Sequence, residues 1–163
     1  MPSDQVVAFI PNLRRYARAL VGDREGADDL VQDTLERAVR KFHLWRPGDL
    51  RAWLFSIMHN VFINQLKSRK LSPDAELPED LAARIPTAGR DDILDLQRAL
   101  MQLPPNQREV LLLIALEDMS YADVSQSLGI PIGTVMSRLS RGRDRLRLLM
   151  DGQEAPASLR VVQ

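Results

Sequence analysis

The chain has 163 residues, in which 22 lysines and arginines balance 22 aspartates and glutamates, and 45% of the residues are hydrophobic. This length suffices for one average domain or for two helical domains of about 60 to 80 residues each. The sequence contains no cysteine, which excludes disulfides and thiolate metal sites, and its two histidines, His43 and His59, can supply only part of a metal site.

No apolar run approaches the roughly 18 residues that would span a bilayer, and the amino terminus lacks the basic and apolar regions of a signal peptide. We therefore expect a cytoplasmic protein without membrane insertion. We also expect no bound metal and no other cofactor.

Apolar residues recur at helical spacing almost throughout, which predicts an all-α fold. The first helix is predicted over residues 4–20, and the second starts after Asp23, a residue type that caps helices well. The pair Pro47-Gly48 cannot continue a helix, so residues 43–48 are predicted to form a loop before a third helix over residues 50–70. Trp53 falls on the apolar stripe of that helix and is expected to be structural, whereas Trp45 lies in the loop.

Residues 71–91 combine prolines with acidic side chains and are predicted to link two domains. The predicted divisions are a first domain over 1–70, the linker over 71–91, a second domain over 92–150 and a tail over 151–163. The second domain is predicted to contain helices over 92–102 and 107–117, then one that Ser120 caps and Gly129 ends, then one from about 131 to 150.

Residues 121–143 have the pattern of a helix-turn-helix motif. Ser125 is small where two helices cross, Gly129 suits the tight turn, and Val135 packs the second helix on the first. Five arginines and one aspartate lie between residues 134 and 150. Such a charge run alone favours a solvated surface helix, but together with the turn pattern it indicates a helix that binds the DNA major groove.

The first domain separates its charges along the chain. Six acidic residues lie between residues 23 and 36, whereas residues 37–70 contain eight basic residues and a single acid. This pattern suggests two partners of opposite charge, and the alternative is that both are ordinary solvated faces of a helical bundle.

Four segments, in order, resemble the motifs of the extracytoplasmic-function sigma factors of bacterial RNA polymerase: residues 28–37, 50–60, 103–110 and 120–141. The resemblance implies a region 2 helical bundle and a region 4 helix-turn-helix domain joined by a flexible linker. It also implies a protein that binds core RNA polymerase, recognises the minus-ten and minus-thirty-five promoter elements, and promotes strand opening. An anti-sigma factor is a further expected partner.

The same resemblance implies three groups of site residues. The polymerase-binding residues are Asp28, Asp29, Gln32 and Asp33. The residues for the minus-ten element are Trp45, Arg46, Asn60, Asn64, Lys67 and Arg69. The residues for the minus-thirty-five element are Pro131, Thr134, Ser137, Arg138, Arg141 and Arg143.

Two other classes of protein compete with this interpretation. A free-standing helix-turn-helix regulator would explain the second half equally well but not the charge pattern of the first half. An enzyme would need a phosphate-binding loop, metal-ligand spacing or a nucleophile with a matched base, and the sequence shows none of these. We therefore expect no catalytic residues.

Overall fold

The computed structural model of the chain describes residues 2–71 and 92–151. The predicted linker and tail lie outside the described residues, apart from the first residue of each. The described part contains α1 (Pro2–Val7), α2 (Ile10–Val21), α3 (Arg24–Lys41), a short 3-10 helix (Phe42–Leu44), α4 (Leu50–Leu71), α5 (Asp92–Met101), α6 (Pro105–Ala115), α7 (Tyr121–Leu128) and α8 (Ile132–Asp151). The prediction of an all-α fold with two helical domains is confirmed.

Local side-chain chemistry sets several helix ends as the sequence predicts. The Asp23 carboxylate accepts a hydrogen bond from the Gly26 amide at 2.9 Å, and the Ser120 hydroxyl oxygen accepts one from the Asp123 amide at 3.0 Å. Both bonds satisfy an amide that has no partner within its helix. Gly129 ends α7 with φ of 68°, a left-handed conformation that glycine adopts without steric cost.

The prediction of one continuous first helix is wrong, because the segment contains two helices that break at residues 8–9. Pro11 occupies the first turn of α2, where its missing amide costs nothing. A helix running on through Pro11 would lose the hydrogen bond from that position to the carbonyl four residues earlier.

The first domain packs α2, α3 and α4 against one another around a core that includes Leu13, Leu30, Leu54 and Met58, each fully buried. In the second domain α6 contacts both α7 and α8, and its residues 110–113 are buried. On α8, Val135, Leu139 and Gly142 form a buried seam that packs against α6.

The two domains pack directly against each other. Helix α2 contacts α5 and α6, and α4 contacts α7, so that a single hydrophobic cluster runs through both domains. At one point Met101 of α5 lies against Gly22, where a Cβ atom would come within 2.7 Å of the Met101 sulfur. The sequence predicts two domains, but it gave no indication of this docked arrangement.

Candidate functional site

The acidic face of the first domain lies on α3. All four predicted residues, Asp28, Asp29, Gln32 and Asp33, are exposed. Positions separated by four residues lie one turn apart, so the four form a single polar strip. Gln32 bonds Glu36 at 3.4 Å and Asp33 accepts a bond from Gln65 at 3.5 Å. The strip remains open to a partner of positive charge.

The buried side of α3 explains why the strip faces outward. Ala27, Leu30, Val31, Thr34 and Ala38 are buried, and the Thr34 hydroxyl donates to the Leu30 carbonyl at 2.7 Å. Because the apolar stripe points to α2 and α4, the acidic residues on the opposite side face solvent.

The second predicted surface follows α4. Asn60, Asn64 and Lys67 are exposed at intervals of four and three residues, which places two amides and one cation in a row along one face. The backbone of Arg69 belongs to the same helix, but its side chain is not described. Neutral amides can hydrogen-bond a base edge, and a cation at the end of the row can contact a phosphate.

The loop before α4 packs aromatic rings against the first turns of that helix. The ring of Trp45 lies 5.2 Å from that of Phe42 and 6.5 Å from that of Trp53, with centroid separations typical of aromatic pairs. Both tryptophans are half-buried, and Arg46 is exposed. Trp45 is therefore held in place by its neighbours although it lies in a loop, and Trp53 is less buried than its position on the apolar stripe predicts.

The third surface lies on α8. Pro131 precedes the helix and is exposed, and Thr134, Ser137, Arg138 and Arg141 lie along one face of it with Ser137 and Arg141 exposed. Hydroxyl and guanidinium groups on one exposed helical face can donate to base edges in a major groove.

Arg143 is exposed but belongs to a different part of α8. At 100° per residue it lies about 160° around the helix from Arg141, on the far side of the buried seam. The structure thus brings together five of the six residues predicted for the minus-thirty-five element. A contact of Arg143 with DNA would involve a backbone phosphate outside the groove that holds the others.

Three charged residues of the second domain are buried against the first domain, and sequence reasoning missed all of them. Arg108, Glu109 and Glu117 have exposures of 6%, 2% and 2%. Buried charges are rare unless they are paired. One feature of the sequence could have indicated their burial. The pair Arg108-Glu109 directly precedes the wholly apolar run 110–116, and charged residues next to such a run are often buried with it.

Each buried charge has at least one partner across the domain boundary. Arg15 donates to both carboxylate oxygens of Glu117 at 3.2 Å, and Asn12 donates to one of them at 3.2 Å. His59 Nδ1 lies 2.6 Å from a Glu109 carboxylate oxygen. Arg108 donates to the Leu20 carbonyl at 2.7 Å.

Burial at this boundary shifts the pKa values of Tyr16 and Arg108. Burial raises the pKa of Tyr16 well above its usual value, and the carboxylates of Glu109 and Glu117 raise it further. Burial lowers the pKa of Arg108, yet a guanidinium starts so high that it stays charged. The boundary between the domains therefore contains buried charged groups, although apolar side chains of both domains also pack together there.

Within residues 2–71 and 92–151, no three histidine, aspartate or glutamate side chains lie close enough together to hold a metal ion. In the same part of the chain, no helix has the length and apolar character needed to cross a membrane.

Comparison with known proteins finds two family models, in the order of the two domains. The "Sigma2 domain of PhyR" matches residues 6–59, and "Sigma-70, region 4" matches residues 93–146. Among curated proteins, the chain is 35% identical over 157 residues to the ECF RNA polymerase sigma factor EcfG of Rhodopseudomonas palustris, covering 93% of this chain and 87% of the relative. It is 37% identical over 158 residues to SigE of Mycolicibacterium smegmatis, covering 90% of this chain and 61% of that relative.

Two solved structures extend the similarity to the arrangement of the domains. The sigma factor RpoE in complex with the anti-sigma factor NepR, from Bartonella quintana, is 36% identical with a TM-score of 0.79, covering 91% of this chain and 95% of the other. CnrH in complex with the cytosolic domain of CnrY is 28% identical with a TM-score of 0.68, covering 91% and 86%. A TM-score of 0.79 over both domains requires that they be placed similarly in the two proteins.

Proposed function

This chain belongs to the extracytoplasmic-function RNA polymerase sigma factors, and we propose that it binds core polymerase and recognises promoters through the three surfaces described above. The observation that carries the proposal is their separation. One acidic strip and one amide row lie on the first domain, and the hydroxyl and arginine face lies on the second. Each surface has exposed residues, and each has the chemistry of a different target: a basic protein surface, unpaired DNA bases or a DNA major groove.

The acidic strip on α3 is proposed to bind a basic surface of core polymerase. Asp28, Asp29, Gln32 and Asp33 present carboxylates and an amide on a rigid helix whose other side is locked in the core. Electrostatic complementarity of this kind accelerates encounter and fixes orientation more than it adds affinity. The strip therefore sets how the protein is oriented on the enzyme.

The amide row on α4 is proposed to bind the minus-ten element as a single strand. A base held outside the duplex stack costs a few kcal/mol. Amide hydrogen bonds from Asn60 and Asn64, together with stacking on an aromatic ring at about 1 to 3 kcal/mol per base, can offset that cost. Trp45, fixed by Phe42, is the proposed ring, and Arg46, Lys67 and Arg69 are the proposed phosphate contacts. Because this surface binds the unpaired strand in preference to the duplex, it promotes opening of the promoter DNA.

The exposed face of α8 is proposed to bind the minus-thirty-five element in the major groove. One bidentate arginine contact to guanine gives about 1 to 3 kcal/mol of discrimination, which is too little to select a promoter alone. Recognition therefore needs both elements at once, on a polymerase that holds both domains. The protein acts by binding and not by catalysis, and it works in the cytoplasm, where the polymerase is.

An anti-sigma factor is a further proposed partner. The Bartonella relative with the same placement of domains is in complex with one. A partner that contacts both domains in this arrangement would keep the chain from the polymerase.

Transcription from purified components tests the proposal. The protein is added to core polymerase with fragmented genomic DNA of the source organism, and the run-off transcripts are sequenced. We expect initiation at a small set of sites that share two elements, and no such set with core polymerase alone. If the protein does not associate with core polymerase and instead binds duplex sites tightly by itself, the free-standing regulator is the correct interpretation.

A further inference from the structure

Helix α8 carries an exposed apolar pair on its first two turns. Ile132 and Met136 are 45% and 50% exposed, and they lie one turn apart, so their side chains share an edge of the helix. None of the three surfaces described above uses either residue. A single exposed apolar side chain is ordinary on a protein surface, so the position of the pair decides whether it has a role.

Met136 borders the face of α8 that is proposed to enter the major groove. It lies about 100° around the helix from Ser137, and Gly133 and Ser140 project between the two. Gly133, Ser137 and Ser140 are all exposed. The first turns of a recognition helix are the part that reaches base edges, and Met136 lies within them. Its side chain therefore projects at the edge of the base-reading face.

Gly133 gives a second, independent indication that a ligand comes close to α8 at this point. It is the second residue of the helix, where glycine is less favourable than alanine. Among the described residues, a Cβ atom built on Gly133 would meet no atom within 4 Å outside its own stretch of helix. Packing inside the chain therefore does not explain why a side chain is absent. The absence leaves room for a surface that approaches the helix backbone between Met136 and Ser137.

An apolar side chain at this edge can distinguish thymine from the other bases. Thymine carries a methyl group on its major-groove edge, whereas adenine, guanine and cytosine present hydrogen-bond donors and acceptors there. Met136 has an unbranched, flexible side chain that can adapt to the position of such a methyl group. Contact between the two removes apolar surface of both from water. Because methionine has no hydrogen-bond donor, it cannot bind guanine or a phosphate as arginine does.

The charges that follow Met136 fit the same placement. Arg143 is exposed and lies about 20° around the helix from Met136, two turns further along. An arginine at this edge can contact a backbone phosphate beside the base that Met136 contacts. An edge that is apolar at the start of the helix and cationic further along matches a base first and the DNA backbone after it.

We propose that Met136 is a specificity-determining residue that contacts the methyl group of a thymine in the minus-thirty-five element, with Ile132 extending the contact and Gly133 allowing close approach. This inference rests on the proposed binding of α8 to that element. It goes further because it names the base that one side chain selects.

Replacing thymine by uracil in the DNA tests the proposal, because uracil lacks only the methyl group and keeps every hydrogen-bonding group of thymine. The element is first defined by selecting bound duplexes from a random pool with the full chain on core polymerase. Each thymine of the element is then replaced singly by uracil. For the wild-type protein, we expect one of these replacements to lower the affinity about fourfold, the factor for one methylene-sized group returned to water.

Met136→Ala removes the apolar contact and keeps α8 helical, because the side chain is exposed and alanine is the strongest helix former. This variant should bind the thymine and uracil duplexes equally well. Met136→Leu keeps an apolar side chain and should retain a preference for thymine. Leu148→Ala is the matched control and should behave like wild type, because Leu148 is 47% exposed on the same helix but lies about three turns beyond Met136.

Gly133→Ala separates the effect on binding from any effect on folding. Alanine favours the helix, so this variant should unfold at a temperature a few degrees higher than wild type. It should nevertheless bind the element more weakly, because the added methyl group occupies the space that the DNA enters. Unchanged affinity in Gly133→Ala would contradict the close approach.

Two results overturn the role of Met136 and leave the proposed function standing. One is an element that is selected but binds equally with thymine and with uracil at every position. The other is a uracil effect of the same size in Met136→Ala as in wild type. If Met136→Ala instead weakens association with core polymerase in the absence of DNA, the apolar pair contacts a protein and the proposal is wrong. If the full chain on core polymerase selects no duplex sequence, the proposed function and this inference are both wrong.

Discussion

Replacing Arg108 by alanine gives the sharpest test of what holds the domains together. The Arg108 guanidinium donates to the carbonyls of Leu20 at 2.7 Å, Leu100 at 2.9 Å and Leu103 at 2.9 Å, and more weakly to Met101 at 3.4 Å. One side chain thus donates hydrogen bonds to backbone carbonyls at the ends of α2 and α5 and in the turn before α6. The Leu100 carbonyl also accepts a bond from the Leu103 amide at 3.1 Å, so the loss of Arg108 removes a partner chiefly from the buried carbonyls of Leu20 and Leu103.

The expected loss of stability follows from these contacts. A hydrogen bond to a charged group contributes about 1.5 to 3 kcal/mol, and three short ones set an upper limit of about 5 to 9 kcal/mol. Water reaches the carbonyls once the domains loosen, because Arg108 lies at their boundary, so we expect about 3 kcal/mol of unfolding free energy to be lost. For a chain of this size, that corresponds to a fall in Tm of about 6 to 12 °C.

Thermal and urea unfolding followed by circular dichroism measure this loss. Arg14→Ala is the control, because Arg14 is exposed on α2, and it should stay within about 0.5 kcal/mol of wild type. Arg108→Lys keeps a charge but not the planar group that reaches several carbonyls at once, so it should recover less than half of the loss. A Tm for Arg108→Ala within about 2 °C of wild type would refute the reasoning.

Five further substitutions test separate parts of the molecule. Asp29→Arg should abolish co-elution with core polymerase while the helical spectrum is unchanged, and intact holoenzyme would contradict the assignment of the α3 strip. Asn64→Ala should weaken binding of holoenzyme to a single-stranded minus-ten oligonucleotide by about 1 to 3 kcal/mol without changing duplex minus-thirty-five binding. Arg141→Ala should relax selection at one promoter position in a sequence-resolved binding assay, whereas uniform weakening would indicate a phosphate contact. Gly129→Ala should cost about 1 to 2 kcal/mol of unfolding free energy from left-handed strain alone, and Gly22→Ala should cost more, because its Cβ also meets Met101.

Features that depend on neighbouring residues were predictable from the sequence. The caps at Asp23 and Ser120 and the turn at Gly129 involve bonds or dihedrals within three residues, so the residue type decides them. The apolar seam of α8 follows from helical periodicity in the same way. The exposure of the three candidate surfaces was also predictable, because the apolar periodicity assigns the other positions of each helix to the core.

Docking of the domains could not be predicted by the same reasoning. The contact of Glu117 with Arg15 joins residues 102 apart, and that of Glu109 with His59 joins residues 50 apart. No local pattern pairs such positions, because each side chain taken alone is compatible with solvent exposure. The break between α1 and α2 was missed for a different reason: Pro11 is tolerated in a first turn, so it can mark a new helix as well as interrupt one.

The balanced total charge of the chain conceals separate groups of cations and acids. Promoter binding is proposed to use cations on α4 and α8, and polymerase binding is proposed to use acids on α3. Glu109 and Glu117 belong to neither group. Their buried carboxylates contact polar side chains of the first domain. The buried seam of α8 packs against α6, and the opposite side of α8 is exposed. The duplex is therefore proposed to approach α8 from the side away from α6, which is where Thr134, Ser137 and Arg141 lie.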